Sequence, residues 1–530
     1  MTATVTPQLR ALSGLLPEIV TSGQAAALTH QVAPASAPTV DIIAPYTGTS
    51  LGHLPQCTPA DVEDAFARAR AAQAAWAATP VKDRAKIFLA MHDLVLERQN
   101  EVLDLIQAEN GKARRDAFLE VADIANTARY YARTAPGLLG EKKRTGLLPG
   151  LTSTRELRQP KGVVAIVSPW NYPLALGAGD TIPALLAGNT VVQKPDNQTA
   201  LTALWALSLA REAGLPADVW QMVLGRGSSI GDTIINGGDY LMFTGSTASG
   251  KTVAAKAAAR LISSSMELGG KNAMIVLDDA DLSRTVEGAV RACFSSSGQL
   301  CISIERMYVQ DGIYDKFVEK FVKAVKNMPL AATYDYKPAM GSLTSAEQVT
   351  TVAGHVEDAV GNGATVLTGG KRRPDIGPMF FEPTVLTDVK PGVRCYREET
   401  FGPLVSLYRF ADVEDAITRA NDSEYGLNAS VWTKSIKRGT EIGAQLHAGT
   451  VNVNEAFAAA WGSIDAPMGG MGESGLGRRH GEEGLLKYTE AQTIARQRIR
   501  NIAPPRGVSH ESFAKVLTLA LGLMKKAGWH

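Results

Sequence analysis

Val163-Val-Ala-Ile-Val167 opens the run that decides the fold, and Pro169-Trp-Asn-Tyr-Pro173 follows it at once. Thr190-Val-Val-Gln-Lys194, Val219-Trp-Gln-Met-Val-Leu224, Tyr240-Leu-Met-Phe243 and Ala273-Met-Ile-Val-Leu277 are further short apolar runs of strand length. Between them, residues 199–213 and 247–260 place apolar side chains at helical spacing. Strands that are apolar throughout cannot have a wet face. Their alternation with helices predicts a parallel sheet covered on both sides.

Outward from that run, residues 61–77 and 85–108 read as helices that open the globular part. After Asp281 the alternation repeats with longer helices at 282–293, 312–326 and 344–362. Strand-like segments at 382–389 and 404–410 follow, and together these predict a second α/β unit carrying Cys301. Residues 152–159 form an isolated polar, β-favouring run. Residues 1–38 read as a loose N-terminal extension with one short helix, and 501–530 as a C-terminal tail. No internal repeat of fixed period is present.

At 530 residues the chain is long enough for two or three structural domains. A net charge of +1 gives no electrostatic case for a nucleic-acid partner. Four cysteines, Cys57, Cys293, Cys301 and Cys395, are too few for a disulfide scaffold at this length, so a reducing, cytoplasmic setting is expected. No secretory signal or membrane span is expected either.

The chemistry centres on Phe294-Ser-Ser-Ser-Gly298-Gln299-Leu300-Cys301-Ile-Ser-Ile-Glu-Arg306. A free cysteine is most often a buried core thiol, and Cys293 on an apolar helix face fits that reading. The small, polar residues before Cys301 instead favour a nucleophile, whose thiolate can attack a carbonyl carbon. Upstream, Met266-Glu267-Leu268-Gly269-Gly270-Lys271-Asn272 offers a carboxylate on a glycine-hinged turn. A lone Glu is usually a solvated charge, but a cysteine with a distant carboxylate and no nearby histidine is an uncommon pairing. Phe243-Thr-Gly245-Ser246-Thr-Ala-Ser-Gly250-Lys251 runs from a strand end into a helix N-terminus, a phosphate cradle of free N–H groups. It is not a Walker A sequence, and Gly225-Arg-Gly227-Ser-Ser-Ile-Gly231 misses the dinucleotide fingerprint by one position.

These motifs, in this order, resemble the aldehyde dehydrogenase superfamily over roughly residues 40–500, closest to its NADP-dependent succinate-semialdehyde dehydrogenase branch. The resemblance implies an α/β fold with a Rossmann-like cofactor domain (39–148 and 162–277), a catalytic α/β domain (278–484) and bridging, oligomerising segments (149–161 and 485–500). It implies Cys301 as nucleophile, Glu267 as the base for thioester hydrolysis, and Asn171 with the Cys301 N–H as oxyanion donors. It implies cofactor contacts from Trp170, Asn171, Lys194, Pro195, Asp196, Asn197, Gly245, Ser246, Leu268 and Glu399. A glutamate at position 197 would grip the ribose hydroxyls of NAD. Asn197 is neutral and lies near Lys194, which favours NADP, with NAD possible.

The resemblance also implies a small-molecule aldehyde as substrate and assembly as a homodimer or homotetramer. Branch members bind the substrate carboxylate with arginines where this chain has Gly179 and Ser295. The loop Glu455-Ala-Phe457-Ala-Ala-Ala-Trp461-Gly462 is mostly apolar. The resemblance implies oxidation of succinate semialdehyde to succinate with NADP, and these departures add the expectation that a less polar aldehyde is the better substrate. Two rival readings are a coenzyme-A-acylating dehydrogenase, which Glu267 argues against, and a cysteine hydrolase, for which neither His447 nor His480 is marked as a partner.

Overall fold

The computed structural model describes residues 28–29, 32, 38–147, 152–497 and 501–528. The extension expected over residues 1–38, with its short helix, lies almost wholly outside the described residues.

The apolar runs pair as a six-stranded sheet in the order Gly475–Leu476, Ser264–Glu267, Tyr240–Thr244, Val163–Val167, Thr190–Lys194, Trp220–Met222. All neighbours are parallel except Gly475–Leu476, which runs antiparallel to Ser264–Glu267. Successive residues serve opposite faces. Val163 and Ala165 pack with Val62, Phe66 and Ile234, whereas Val164 and Ile166 pack with Leu174, Ile182 and Leu204. This two-sided burial is why the strands read as unbroken apolar runs.

A second, seven-stranded sheet follows the order Thr365–Thr368, Thr384–Thr387, Leu404–Phe410, Ile304–Gln310, Asn272–Val276, Asn428–Trp432, Thr450–Val453. The run near 273–277 corrects the sequence reading. Asn272–Val276 pairs with Ile304–Gln310 and Asn428–Trp432, so it belongs to this sheet and not to the first. The chain changes sheets across Leu268–Lys271, earlier than the boundary drawn at 277. An apolar strand looks alike whichever sheet receives it, so its neighbours decide.

The bridging run forms a long antiparallel ladder, Thr152–Pro160 against Thr489–Gln497, extended by Lys142–Arg144. Residues 485–486 still belong to the helix Gly481–Leu486, so the second bridging strand begins later than expected. Residues 149–151 and 498–500 of the expected bridge lie outside the described residues. The expected helix at 85–108 is two helices, Val81–Glu97 and Gln99–Asn110, broken at Arg98 (φ −101°, ψ 19°). The helix Arg114–Leu138 has no counterpart in the sequence reading. The tail carries the helix His510–Lys526, which buries no residue. No helix among the described residues is long and apolar enough to cross a membrane.

Candidate active site

Cys301 sits just past a backbone turn that few residues tolerate. Ser296 (φ 53°), Ser297 (φ 58°) and Gly298 (φ 70°) are all left-handed. A Cβ at Gly298 would stand 2.1 Å from the Gly402 carbonyl oxygen. The strained serines are held from outside: Asp116 accepts the Ser296 N–H at 2.8 Å, and the Ser297 hydroxyl donates to the Gly341 and Ser342 carbonyls. The Cys301 carbonyl accepts from Asn272 Nδ2 at 2.7 Å. Small polar residues precede the cysteine because they make this turn.

Glu267 ends the strand Ser264–Glu267, and the two glycines after Leu268 are there for space. A Cβ on Gly269 would lie 2.4 Å from Glu399 Oε2, and one on Gly270 2.5 Å from the Cys301 carbonyl oxygen. The Gly270 N–H donates to Glu399 Oε1 at 2.8 Å. The turn thus carries Glu267, Leu268 and Glu399 into one place.

That place is a cavity of about 270 Å³ whose walls include Trp170, Asn171, Gly245, Glu267, Cys301 and Glu399. Ser246, Leu268 and Phe401 complete that end. Asn171 is buried and donates from Nδ2 to the Gln299 carbonyl at 3.1 Å. Glu267 is buried too, and its Oε1 has no hydrogen-bond partner. Burial pushes the Glu267 carboxyl up to about 6, with Arg479 opposing. Burial first, then Glu399, pushes the Cys301 thiol up to about 12. Burial first, then Glu305, pushes Glu399 up to about 8. Burial thus favours the thiol form of Cys301, while Glu267 keeps a free oxygen.

A groove of about 540 Å³ shares Trp170, Thr244, Gly245 and Ser246 with this cavity and continues past Lys194 and Asp196. Ser246 caps the helix Thr247–Ala259, its side chain accepting from the Ser249 N–H, so the first-turn donors face the groove. Burial holds Lys194 below the usual lysine range, and its Nζ donates to the Pro195 carbonyl at 3.0 Å. Asp196 caps the turn Asn197–Thr199. Asn197 and Pro195 are not on the groove wall: the Asn197 amide donates to Gln56 Oε1 (3.0 Å) and accepts the Gly225 N–H (3.2 Å). Strand ends, a helix N-terminus and a lysine fit a dinucleotide phosphate run.

Support comes from residues that sequence reasoning missed. Lys112 and Glu120 form a fully buried ion pair at 2.8 Å. Glu120 Oε2 caps the helix Pro173–Leu186 through the Leu174 and Ala175 N–H groups. Lys112 donates to the Asn171 carbonyl and lies 3.6 Å from the Tyr172 ring centre. Lys271 pairs with Glu305, whose carboxylate takes the Thr400 and Phe401 N–H groups and so sets the Glu399 segment. Arg479 and Asp180 pair at 2.9 Å beside the cavity. Lys271 and Glu305 lie inside the Glu267 and Cys301 motifs, but no local signal pairs any of these residues; only the fold brings the pairs together.

The family model "Aldehyde dehydrogenase family" matches residues 32–494. The chain belongs to the aldehyde dehydrogenase family. One relative in the family, from Mycobacterium ulcerans, is named "Putative succinate-semialdehyde dehydrogenase [NADP(+)] 2" and is 54% identical over 93% of this chain and 95% of its own. Succinate-semialdehyde dehydrogenase, mitochondrial, from Oryza sativa subsp. japonica is 37% identical over 86% of each chain. Among solved family structures, a point mutant of betaine aldehyde dehydrogenase from Staphylococcus aureus in complex with NAD+ superposes with a TM-score of 0.85 at 33% identity, covering 90% of this chain and 97% of that one.

Proposed function

We propose that this aldehyde dehydrogenase oxidises an aldehyde to its carboxylic acid, with NADP as the preferred cofactor. The observation that carries this reading is the shared cavity of Cys301, Glu267 and Asn171, in which Glu267 keeps an unpartnered oxygen. Cys301 loses its thiol proton to solvent as Sγ bonds to the aldehyde carbon, the resulting oxygen anion rests on the Asn171 amide and the Cys301 N–H, and loss of hydride from that carbon leaves a thioester. The bound nicotinamide cofactor supplies the hydride acceptor. Glu267 then takes a proton from water as that water attacks the thioester carbon, the carbon–sulfur bond breaks, and the acid leaves. Trp170, Gly245, Ser246, Leu268, Lys194, Asp196 and Glu399 would hold the cofactor. The NADP reading is supported by Lys194 on the groove and by the absence of a carboxylate at Asn197, together with the relative's name. With Asn197 turned to Gln56 and Gly225, Lys194 carries more of that argument than sequence alone assigns to it.

Neither Gly179 nor Ser295 supplies a cation at the substrate end, although Arg115, Arg284 and Arg291 line the cavity of Ser295. Gly179 lines a very small cavity with Asp123, Trp461, Arg479 and His480, and Arg479 there is already paired with Asp180. Burial pushes Asp123 up to about 8 and His480 down to about 3, so both are mainly neutral at pH 7. Ser295 lines a different cavity. A carboxylate without a free cationic partner is costly to desolvate. Succinate semialdehyde is therefore expected to be a substrate, and uncharged aldehydes of similar or greater length to be better ones. The exposed outer strand Thr489–Gln497 supports assembly as a homodimer or homotetramer, and four unpaired cysteines support a reducing, cytoplasmic setting.

An aldehyde panel tests the reading, with reduced cofactor as the readout. Turnover with NADP, abolished in Cys301→Ala, is expected. Undiminished turnover in Cys301→Ala contradicts the mechanism, and succinate semialdehyde exceeding every neutral aldehyde in kcat/KM contradicts the substrate reading.

A further inference from the structure

Arg479 is a buried cation placed on both flanks of Glu267. Its backbone N–H and carbonyl each bond to Met468 at 2.7 Å. Met468 precedes Gly469, where a Cβ would stand 3.2 Å from Glu267 Oε1. On the other flank, Arg479 Nη2 donates to Thr244 Oγ1 at 3.2 Å and to Asp180 Oδ2 at 2.9 Å. Thr244 is the register partner of Glu267 across the parallel strands, and both line the catalytic cavity. Arg479 Nε has no hydrogen-bond partner.

We propose that Arg479, held in place by Met468 and Thr244 and paired with Asp180, is a positioning residue whose charge keeps Glu267 ionised and so sets the pH range of thioester hydrolysis. The proposal rests on Glu267 being the base. The groups facing Glu267 are few. Asp180 comes from the helix Pro173–Leu186, Tyr240 from the strand Tyr240–Thr244, and Cys301 and Glu399 face it from the cavity. Arg478 donates to the Gly470 and Gly477 carbonyls, and Lys487 lies 3.7 Å from Asp180. Burial raises Glu267, while Arg479 is the largest opposing influence, followed by Lys487, and Asp180 acts in the raising direction. Removing the arginine charge must therefore raise the carboxyl further, and removing the aspartate charge must lower it. A residue that only packs would not give opposite signs.

The test is the pH profile of steady-state turnover beside the pre-steady-state burst of reduced cofactor. In Arg479→Gln the burst is expected to persist, while the acid limb of turnover moves to higher pH by on the order of one unit. At pH 6 that is a several-fold loss. Arg479→Lys should restore the native limb, and Asp180→Asn should move it to lower pH. An unmoved limb in a burst-competent Arg479→Gln enzyme overturns the proposal. So does a shift of the same sign in Arg479→Gln and Asp180→Asn. Should Arg479→Gln fail to fold, Asp180→Asn decides, and a limb that stays in place or rises there overturns it. Full turnover by Glu267→Gln would instead remove the base reading beneath it, which is a separate outcome.

Discussion

Lys194 shows how a single side chain can do the work assigned to its neighbour. Its ammonium is buried at the groove, whereas the Asn197 amide is engaged by Gln56 and Gly225. If Lys194 meets the 2′-phosphate of the cofactor, Lys194→Ala should raise KM for NADP by roughly tenfold or more and leave KM for NAD much less changed. Equal losses with both cofactors would assign the lysine to a contact they share. Cys301 and Glu267 stand out in the sequence because small residues make their turns, and Asn171 because prolines bracket its motif. Asp180 and Arg479 do not, because the geometry that joins them lies between segments far apart in the chain. Asn197 was legible as a residue type but not in its orientation, which Gln56 sets from a distant strand end.

At the scale of elements, the site depends on helices that carry none of Cys301, Glu267 and Asn171. The helix Arg114–Leu138 brings Asp116 to the Ser296 turn and Glu120 to the start of Pro173–Leu186. Its alanines and scattered charges hide any apolar stripe from a sequence reading, although it buries Val121, Ile124, Ala128 and Tyr131. The break at Arg98 was equally hidden, since no glycine or proline marks it. The strand Asn272–Val276 was legible as a strand, yet its sheet was set by pairing with Ile304–Gln310. Lys112→Met should leave Glu120 buried without its ammonium and cost about 3–5 kcal/mol of stability. Denaturant unfolding checks this, and a loss below about 1 kcal/mol would show that the pair does not hold the Asn171 segment.

Across the whole molecule, two sheets meet along the line where the chain passes from one to the other, and Tyr172, Ala175 and Leu176 from the first unit pack into the core of the second. That crossing is the turn Leu268–Lys271, and it is also where Glu267, Glu399 and the Cys301 carbonyl converge. The cofactor groove belongs to the first sheet, the nucleophile to the second, and the base ends the strand just before the crossing. The proposed chemistry in two halves follows this placement: Cys301 and Asn171 would serve hydride removal, and Glu267 would serve hydrolysis. The measurement that tests this most directly is rapid-mixing kinetics of Glu267→Gln with aldehyde and NADP. The account predicts a burst of reduced cofactor stoichiometric with enzyme, followed by stalled turnover and an acyl group retained on Cys301. Loss of the burst together with turnover, or sustained turnover without a burst, would contradict it.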